Sequence, residues 1–381
     1  MTNQRHNIMI IAGEASGDLH GAELVKAMRK RDSSLSFYGI GGEKLKDAGV
    51  CLIADASTLS VVGITEVFSK LPGIFKGMAA VKKFLRTRRP DLLILIDFPD
   101  FNLHIAGTAK RLNIPVLYYI SPQIWAWRRG RVKKIRKRVS HIAVILPFEE
   151  SFYRKHNIPA SYVGHPLLDQ SGCTSHSPAE TLRIAFLPGS REGEIARHLP
   201  LMLEAACILN RKRDNMEFVI SLAPSVKREF AENIISHFSL LTPHFSIVTG
   251  AEKAFETCSA AVAASGTVTL QGALAGVPMA VIYKVSPLSY LAGRALIKVR
   301  HISLVNLIAG REIVPELIQG KASPENIADT VLNMTDDPRR LERMKSDLLG
   351  IRNMLGRTGA SERVADIATD MLILKKVRSE K

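Results

Sequence analysis

The sequence predicts an α/β protein made of two doubly wound domains in series, and three observations lead there. Short apolar runs alternate with segments of helical periodicity along most of the chain. The texture breaks once, at "PLLDQSGCTSHSPAET" around residues 166–182, where Gly, Ser, Thr and Pro dominate and no apolar period survives. Unusual polar residues gather directly after the apolar runs, and in parallel α/β sheets ligands bind beyond the carboxyl ends of the strands.

In the first half, strands are expected at Ile8–Ala12, Ser36–Ile40, Leu92–Ile96, Val116–Ile120 and Ile142–Leu146. Most are continuous apolar runs, the pattern of strands covered on both faces, so the sheet should be parallel with helices on each side. Leu19, Ala22, Val25 and Met28 recur at helical spacing and predict a helix over Leu19–Arg31. The second domain repeats the pattern, with strands expected at Arg183–Leu187, Phe218–Leu222, Phe245–Val248, Ala260–Ala263 and Met279–Tyr283. From about Pro324 the chain is helical by composition. The predicted divisions are 1–170, 180–335 and a C-terminal helical stretch, 336–381, with a ligand cleft between the two domains. The terminal helices have two places to go: back onto the N-terminal domain, or onto a partner chain in a homodimer.

With 381 residues, 46% of them hydrophobic, each domain can bury its own core. A net charge of +16 points to an anionic partner: nucleic acid, a membrane surface or a phosphorylated substrate. Cys51, Cys173, Cys207 and Cys258 are scattered without a CxxC pair, which argues against a zinc site or a disulfide framework and fits a reducing compartment. The run Ile8–Ala12 is too short for a signal-peptide core, so cytoplasmic retention is expected. Thr257–Tyr283 has no charged residue, yet its Ser, Thr, Gly and Pro residues fit strand, turn, buried helix and strand better than a membrane span.

Several motifs carry chemistry. "LPGSREGE", Leu187–Glu194, reads as strand, glycine turn and helix start. Gly189 and Ser190 would present backbone N–H groups to an anion, with Arg191 as a fixed positive fork. The competing reading is a Pro-Gly turn with a surface arginine. In "ASGTVTLQGALAGVP", Ala264–Pro278, Ser265, Gly266 and Thr267 offer donors to a diphosphate, and Gln271 lies one turn deeper, where a ribose hydroxyl is in reach. The competing reading is a small-residue helix packed tightly in a core, and both can hold together.

"DFPDFN", Asp97–Asn102, places Asp97 at a strand end in an apolar setting, where partial burial would raise its pKa toward that of a working general base. Asp100 and Asn102 can serve the turn, and a turn-only Asp97 is the competing reading. "GEASGDLHG", Gly13–Gly21, has the strand–loop–helix order of a phosphate cradle, but Glu14 and Asp18 would repel phosphate. "SPQIWAW", Ser121–Trp127, follows another strand. "WAWRRGRVKKIRKR", Trp125–Arg138, is a solvated helix face, an RNA-binding stripe, or a basic amphipathic helix on an anionic membrane. Leu59–Leu85 is a buried helix pair, or an apolar surface that meets acyl chains. No Asp-x-Asp motif occurs, so a metal-held diphosphate is not indicated.

Taken in order, "GEASGDLHG", "GIGGEKLKDAG", "VVGITEVFSKLP", "IDFPDFN", "YYISPQIWAWRRGR", "LPFEESFY", "VGHPLLD", "LPGSREGE", "ASGTVTLQGALAGVPMAVIYK" and "NLIAGREIVPELIQ" resemble the lipid-A-disaccharide synthases, over about residues 8 to 320. The resemblance implies a GT-B glycosyltransferase: two Rossmann-like domains facing a central cleft, the first for acceptor and lipid, the second for the UDP-sugar. It implies transfer from UDP-2,3-diacylglucosamine to 2,3-diacylglucosamine 1-phosphate, with inversion, giving a β-1,6 disaccharide and UDP, without metal or cofactor. Glu14, Ser16, Asp18 and His20 would then bind sugar, with Asn102 and Ser121 in the substrate set. Asp97 would be the base and Arg191 would stabilise the departing diphosphate. Gly189, Ser190, Ser265, Gly266, Thr267, Gln271 and Asn306 would hold the nucleotide.

Two departures stand out: Gln271 where the family commonly has Glu, and "LVN", Leu304–Asn306, for "LPN". Diacylated substrates imply an enzyme at the cytoplasmic face of the inner membrane, with no nucleic acid as partner. The rival readings are another UDP-sugar enzyme, either a peptidoglycan-precursor transferase or an epimerase, and a basic RNA-binding protein.

Overall fold

The computed structural model describes residues 6–56, 64–126, 130–170, 181–213, 215–238, 243, 245–287, 290–291 and 299–379, the side chains of 64–72 and 376–379 excepted. The chain divides into two units, Met1–Asp169 with Leu355–Lys381, and Gln170–Met354.

The first unit is built on seven strands: β1 (Asn7–Ala12), β2 (Ser36–Gly41), β3 (Cys51–Asp55), β4 (Leu92–Ile96), β5 (Val116–Tyr119), β6 (His141–Val144) and β7 (Ala160–Tyr162). Their order is β3-β2-β1-β4-β5-β6-β7 and every pairing is parallel. The apolar runs behave as their composition demands. Met9, Ile11, Leu93 and Leu95 point into one core cluster, and Ile8, Ile10, Ala12, Leu92, Ile94 and Ile96 into another. A strand alternates sides at every residue, so a run apolar at both parities needs a cover on both faces.

Part of one cover comes from far along the chain. Helix Ala360–Ser379 supplies Val364, Ala365, Ala368 and Leu372 to the cluster that also holds Leu24, Val25 and Met28 of helix Ala15–Arg31. Arg31 pairs with Glu362 and with Asp366 (2.8 Å), which ties the two helices together, and Lys375 pairs with Asp91, just before β4 (2.9 Å). The apolar stretch expected at Leu59–Leu85 is one helix, Ile64–Arg88, not a pair, and residues 59–63 lie outside the described residues.

The second unit has β8 (Leu182–Leu187), β9 (Met216–Leu222), β10 (Phe245–Thr249), β11 (Ala260–Ala264), β12 (Met279–Tyr283) and β13 (Glu316–Ile318), in the order β10-β9-β8-β11-β12-β13, again all parallel. This is the doubly wound order that binds nucleotides at strand carboxyl ends. Helix Val268–Leu274 packs closely on the neighbouring strand β12. A Cβ on Gly272 of that helix would stand 2.3 Å from the Met279 methyl. Among the described residues, no helix is long and apolar enough to cross a membrane.

Three strands escape the sequence patterns. β3 is an edge strand with a partly exposed face, and β7 and β13 have three residues each, too few to show a period. The strand expected to run to Ile120 stops at Tyr119, because Ile120 takes φ +57.

Candidate functional site

In the first sheet, register brings the ends of β1, β4 and β5 side by side: Ala12 pairs with Ile96, and Ile96 with Tyr119. The loops after these strands therefore start as neighbours. The loop after β1 can pass only because Gly13 lacks a side chain, since a Cβ there would lie 2.3 Å from the Phe98 ring. Glu14, in extended conformation (φ −130), precedes helix Ala15–Arg31, and it and Ser16 are exposed. His20 is partly buried, and burial lowers its pKa to about 4 against the pull of Asp169 and Glu23, so its ring is neutral near neutral pH.

Asp18 has a different task from the sugar contact expected of it. It is 6% exposed, and its Oδ1 accepts from the N–H groups of Gly42 (2.6 Å) and Leu45 (3.3 Å) while Oδ2 accepts from Lys44 (3.0 Å). Those amides open helix Glu43–Asp47, whose first N–H groups have no partner within the helix. The carboxylate is spent on the backbone.

The loop after β4 is an elbow. Asp97 and Phe98 both take φ +46, a left-handed conformation costing on the order of 1–3 kcal/mol for a non-glycine residue. Buried donors hold it there: Asn102 Nδ2 and Tyr118 Oη both donate to the Asp97 carbonyl, at 2.7 and 2.6 Å, and Asn102 Nδ2 also reaches the Ile96 carbonyl at 3.1 Å. Phe98 stacks on Phe101 with ring centroids 5.0 Å apart. The Asp97 side chain stands at the strand end, half-buried. Asn102 is fully buried inside the elbow, so it supports Asp97 and does not face a substrate; Asp100 pairs with Arg131.

Ser121 is likewise drawn inward. Tyr153 donates to its Oγ (3.1 Å), and it lies 3.5 Å from Glu149, which also accepts from Trp125 Nε1 (2.9 Å) and the Leu146 N–H (3.1 Å). Burial pushes the Glu149 carboxyl up to about 7, with its hydrogen-bond donors working the other way. Trp125 is buried, edge-on to Phe148 at 4.8 Å, and so is no interfacial residue; Trp127 lies outside the described residues.

In the second sheet, β8, β11 and β12 end together, with Leu187 paired to Ala263 and Ala264 to Ile282. Gly189 takes φ +130, and a Cβ there would lie 2.6 Å from Glu194 Oε2. Ser190 donates its N–H to that same Oε2 (2.9 Å), so this amide is already engaged. Arg191 caps helix Glu192–Lys212 in extended conformation; its side chain is 56% exposed and 3.7 Å from Glu194. After β11, Ser265 donates its Oγ to the Ile302 carbonyl (2.9 Å), a structural bond. Beyond it the backbone is open: a Cβ on Gly266 would meet nothing within 4 Å, and Thr267 is exposed at the start of helix Val268–Leu274. Gln271 follows one turn on, half-buried.

Asn306, expected among the nucleotide's contacts, is fully buried, and its side chain is fully bonded within its own fold. Its Nδ2 donates to Val314 O and Glu316 Oε1 (both 2.8 Å), and its Oδ1 accepts from Ile313 (2.7 Å) and Val314 (3.0 Å). Glu316 in turn accepts from the N–H groups of Ile302 (2.9 Å) and Ser303 (3.0 Å). Its only sequence signal was an acid inside a short apolar stretch. Gln319 clamps Val285, accepting its N–H at 2.8 Å and donating to its carbonyl at 3.1 Å. No group of three or more His, Cys, Asp or Glu among the described residues could hold a metal.

Two doubly wound parallel sheets in series, with helices between their strands, are the architecture of the GT-B glycosyltransferases and epimerases. Solved structures agree on the fold. The UDP-GlcNAc 2-epimerase from Neisseria meningitidis bound to UDP-GlcNAc has a TM-score of 0.64 at 12% identity, with 96% of this chain and 100% of that one covered. The calicheamicin glycosyltransferase scores 0.60 at 13% identity, with 97% and 99% covered.

Sequence likeness is sharper. The lipid-A-disaccharide synthetase family model matches residues 8–367. The lipid-A-disaccharide synthase of Syntrophus aciditrophicus is 50% identical over 376 residues, covering 96% of this chain and 97% of that one. That of Geobacter metallireducens is 45% identical over 388 residues, covering 98% and 100%. The chain belongs to the lipid-A-disaccharide synthetase family, and its activity class is that of a UDP-sugar-dependent glycosyltransferase.

Proposed function

We propose that the chain transfers 2,3-diacylglucosamine from UDP to the 6-hydroxyl of 2,3-diacylglucosamine 1-phosphate, with Asp97 as the general base. The observation that carries this reading is the elbow: two buried donors stabilise a costly backbone turn whose one evident product is the placement of a carboxylate at a strand end. Asp97 takes the acceptor's proton as its oxygen attacks C1 from the face opposite UDP. The C1–O bond to UDP breaks, and the configuration inverts. Arg191 and the backbone at Gly266 and Thr267 receive the growing charge on the diphosphate. Glu14, Ser16 and neutral His20 bind sugar hydroxyls, and Gln271 reaches the ribose.

The acyl chains call for a lipid surface. Phe75 is 64% exposed on helix Ile64–Arg88, and helix Arg131–Arg138 carries only Val132 and Ile135 buried among six basic residues, "RVKKIRKR". Both features belong to the first unit and support docking on an anionic leaflet.

The test is UDP release from the two substrates in detergent. Wild type should release UDP only when acceptor is present. Asp97→Asn should lose roughly 10²–10⁴ of that rate, the usual range for a general base, and still bind UDP. A variant that turns over like wild type would remove Asp97 from this role.

A further inference from the structure

His198 belongs to none of the motifs, yet it joins two of the loops that carry them. It sits on helix Glu192–Lys212, in the second turn of the helix that Arg191 caps. It is 1% exposed. Its Nδ1 lies 2.8 Å from the Pro188 carbonyl, and its Nε2 lies 3.0 Å from the backbone N of Lys284. These partners define the ring's state. A carbonyl only accepts, so Nδ1 carries a proton; an amide N–H only donates, so Nε2 carries none. The ring is the neutral Nδ1–H form, as burial also favours.

Pro188 opens the loop after β8, two residues from Ser190 and three from Arg191, and Lys284 is the first residue after β12. These strands flank β11, whose end carries Gly266 and Thr267. One side chain therefore sets the distance between the loops on either side of the open backbone.

We propose that His198 is a positioning residue for UDP: it fixes the loops after β8 and β12 at the spacing the diphosphate requires, without touching the nucleotide. The inference rests on the reading that the second unit holds UDP. His198→Phe keeps the bulk and removes both bonds. His198→Asn retains a donor near the Nδ1 position for Pro188, and His198→Gln an acceptor near the Nε2 position for Lys284.

The experiment is isothermal titration of each full-length variant with UDP, alongside its melting temperature and circular dichroism. UDP Kd should rise about tenfold or more in His198→Phe, with Asn and Gln intermediate, at a temperature where every variant is folded. A purely structural histidine would lower the melting temperature and leave Kd of the folded protein unchanged, and that result overturns the inference while the UDP reading stands. Should Phe fail to fold, Asn and Gln decide: wild-type Kd in both overturns it, and a weakened Kd in either supports it. If wild type binds no UDP, the reading beneath it falls and the inference with it.

Discussion

The two sheets share a strand order, but their loops are held differently. In the first unit, buried polar side chains brace the backbone of a loop or helix end: Asp18 on the amides after β2, Asn102 and Tyr118 on the carbonyl of Asp97, Glu149 on the Leu146 amide after β6. In the second, side chains cross from one loop to another: His198 links the ends of β8 and β12, Gln319 clamps Val285, and Ser225 donates to the Ser190 carbonyl at 3.1 Å. The groups left at the surface differ accordingly. The first unit shows Glu14, Ser16 and half-buried Asp97, the second Arg191 and open backbone at Gly266 and Thr267. Carboxylates suit hydroxyls, and a guanidinium with N–H groups suits phosphate. One topology thus presents different groups at its two sets of strand ends, and the loop residues make the difference.

Arg191→Ala should show the largest effect on that contrast. Losing one group aimed at departing charge costs about 10²–10³ in kcat, so the variant should bind acceptor normally and turn over slowly. A loss confined to acceptor KM would place Arg191 with the first unit's chemistry and break the division.

Next comes stability. Leu372 is 5% exposed in the first unit's core, and Leu348 is 0% exposed in the second unit. Each change to Ala should cost about 2–5 kcal/mol. If the units unfold separately in urea, each substitution should move its own transition, and a single shared shift would show them coupled.

The smallest effect on folding should come from Phe75→Ser, within about 0.5 kcal/mol because the ring is exposed. It should nevertheless weaken co-sedimentation with anionic vesicles, while Leu349→Ser, at a 50% exposed site in the second unit, should not. Equal losses would deny the first unit a special lipid surface.

Much of the fold was legible because β4 and β11 are apolar at every residue, and β1 from Ile8 onward, which only a doubly covered strand requires. β3, β7 and β13 were not, being marginal or very short. The place of the candidate site was legible too, since polar residues after strands mark it. The task of each residue was not. Asp18, Asn102, Ser121 and Asn306 stand in the motifs beside Asp97 and Arg191, but each meets polar groups of its own fold. A polar residue in a loop bonds the backbone as readily as a ligand, and only geometry separates the two. His198 lies outside every motif and had no signal of its own in the sequence.

Helix Ala360–Ser379 closes a core begun by residues of β1. A ribosome makes the whole of Gln170–Met354 between those two pieces. The first unit to emerge is therefore the last to be completed, and until Val364, Ala365, Ala368 and Leu372 arrive, one face of its sheet lacks part of its cover. A chain cut short before residue 360 would lack that part of the first unit's cover.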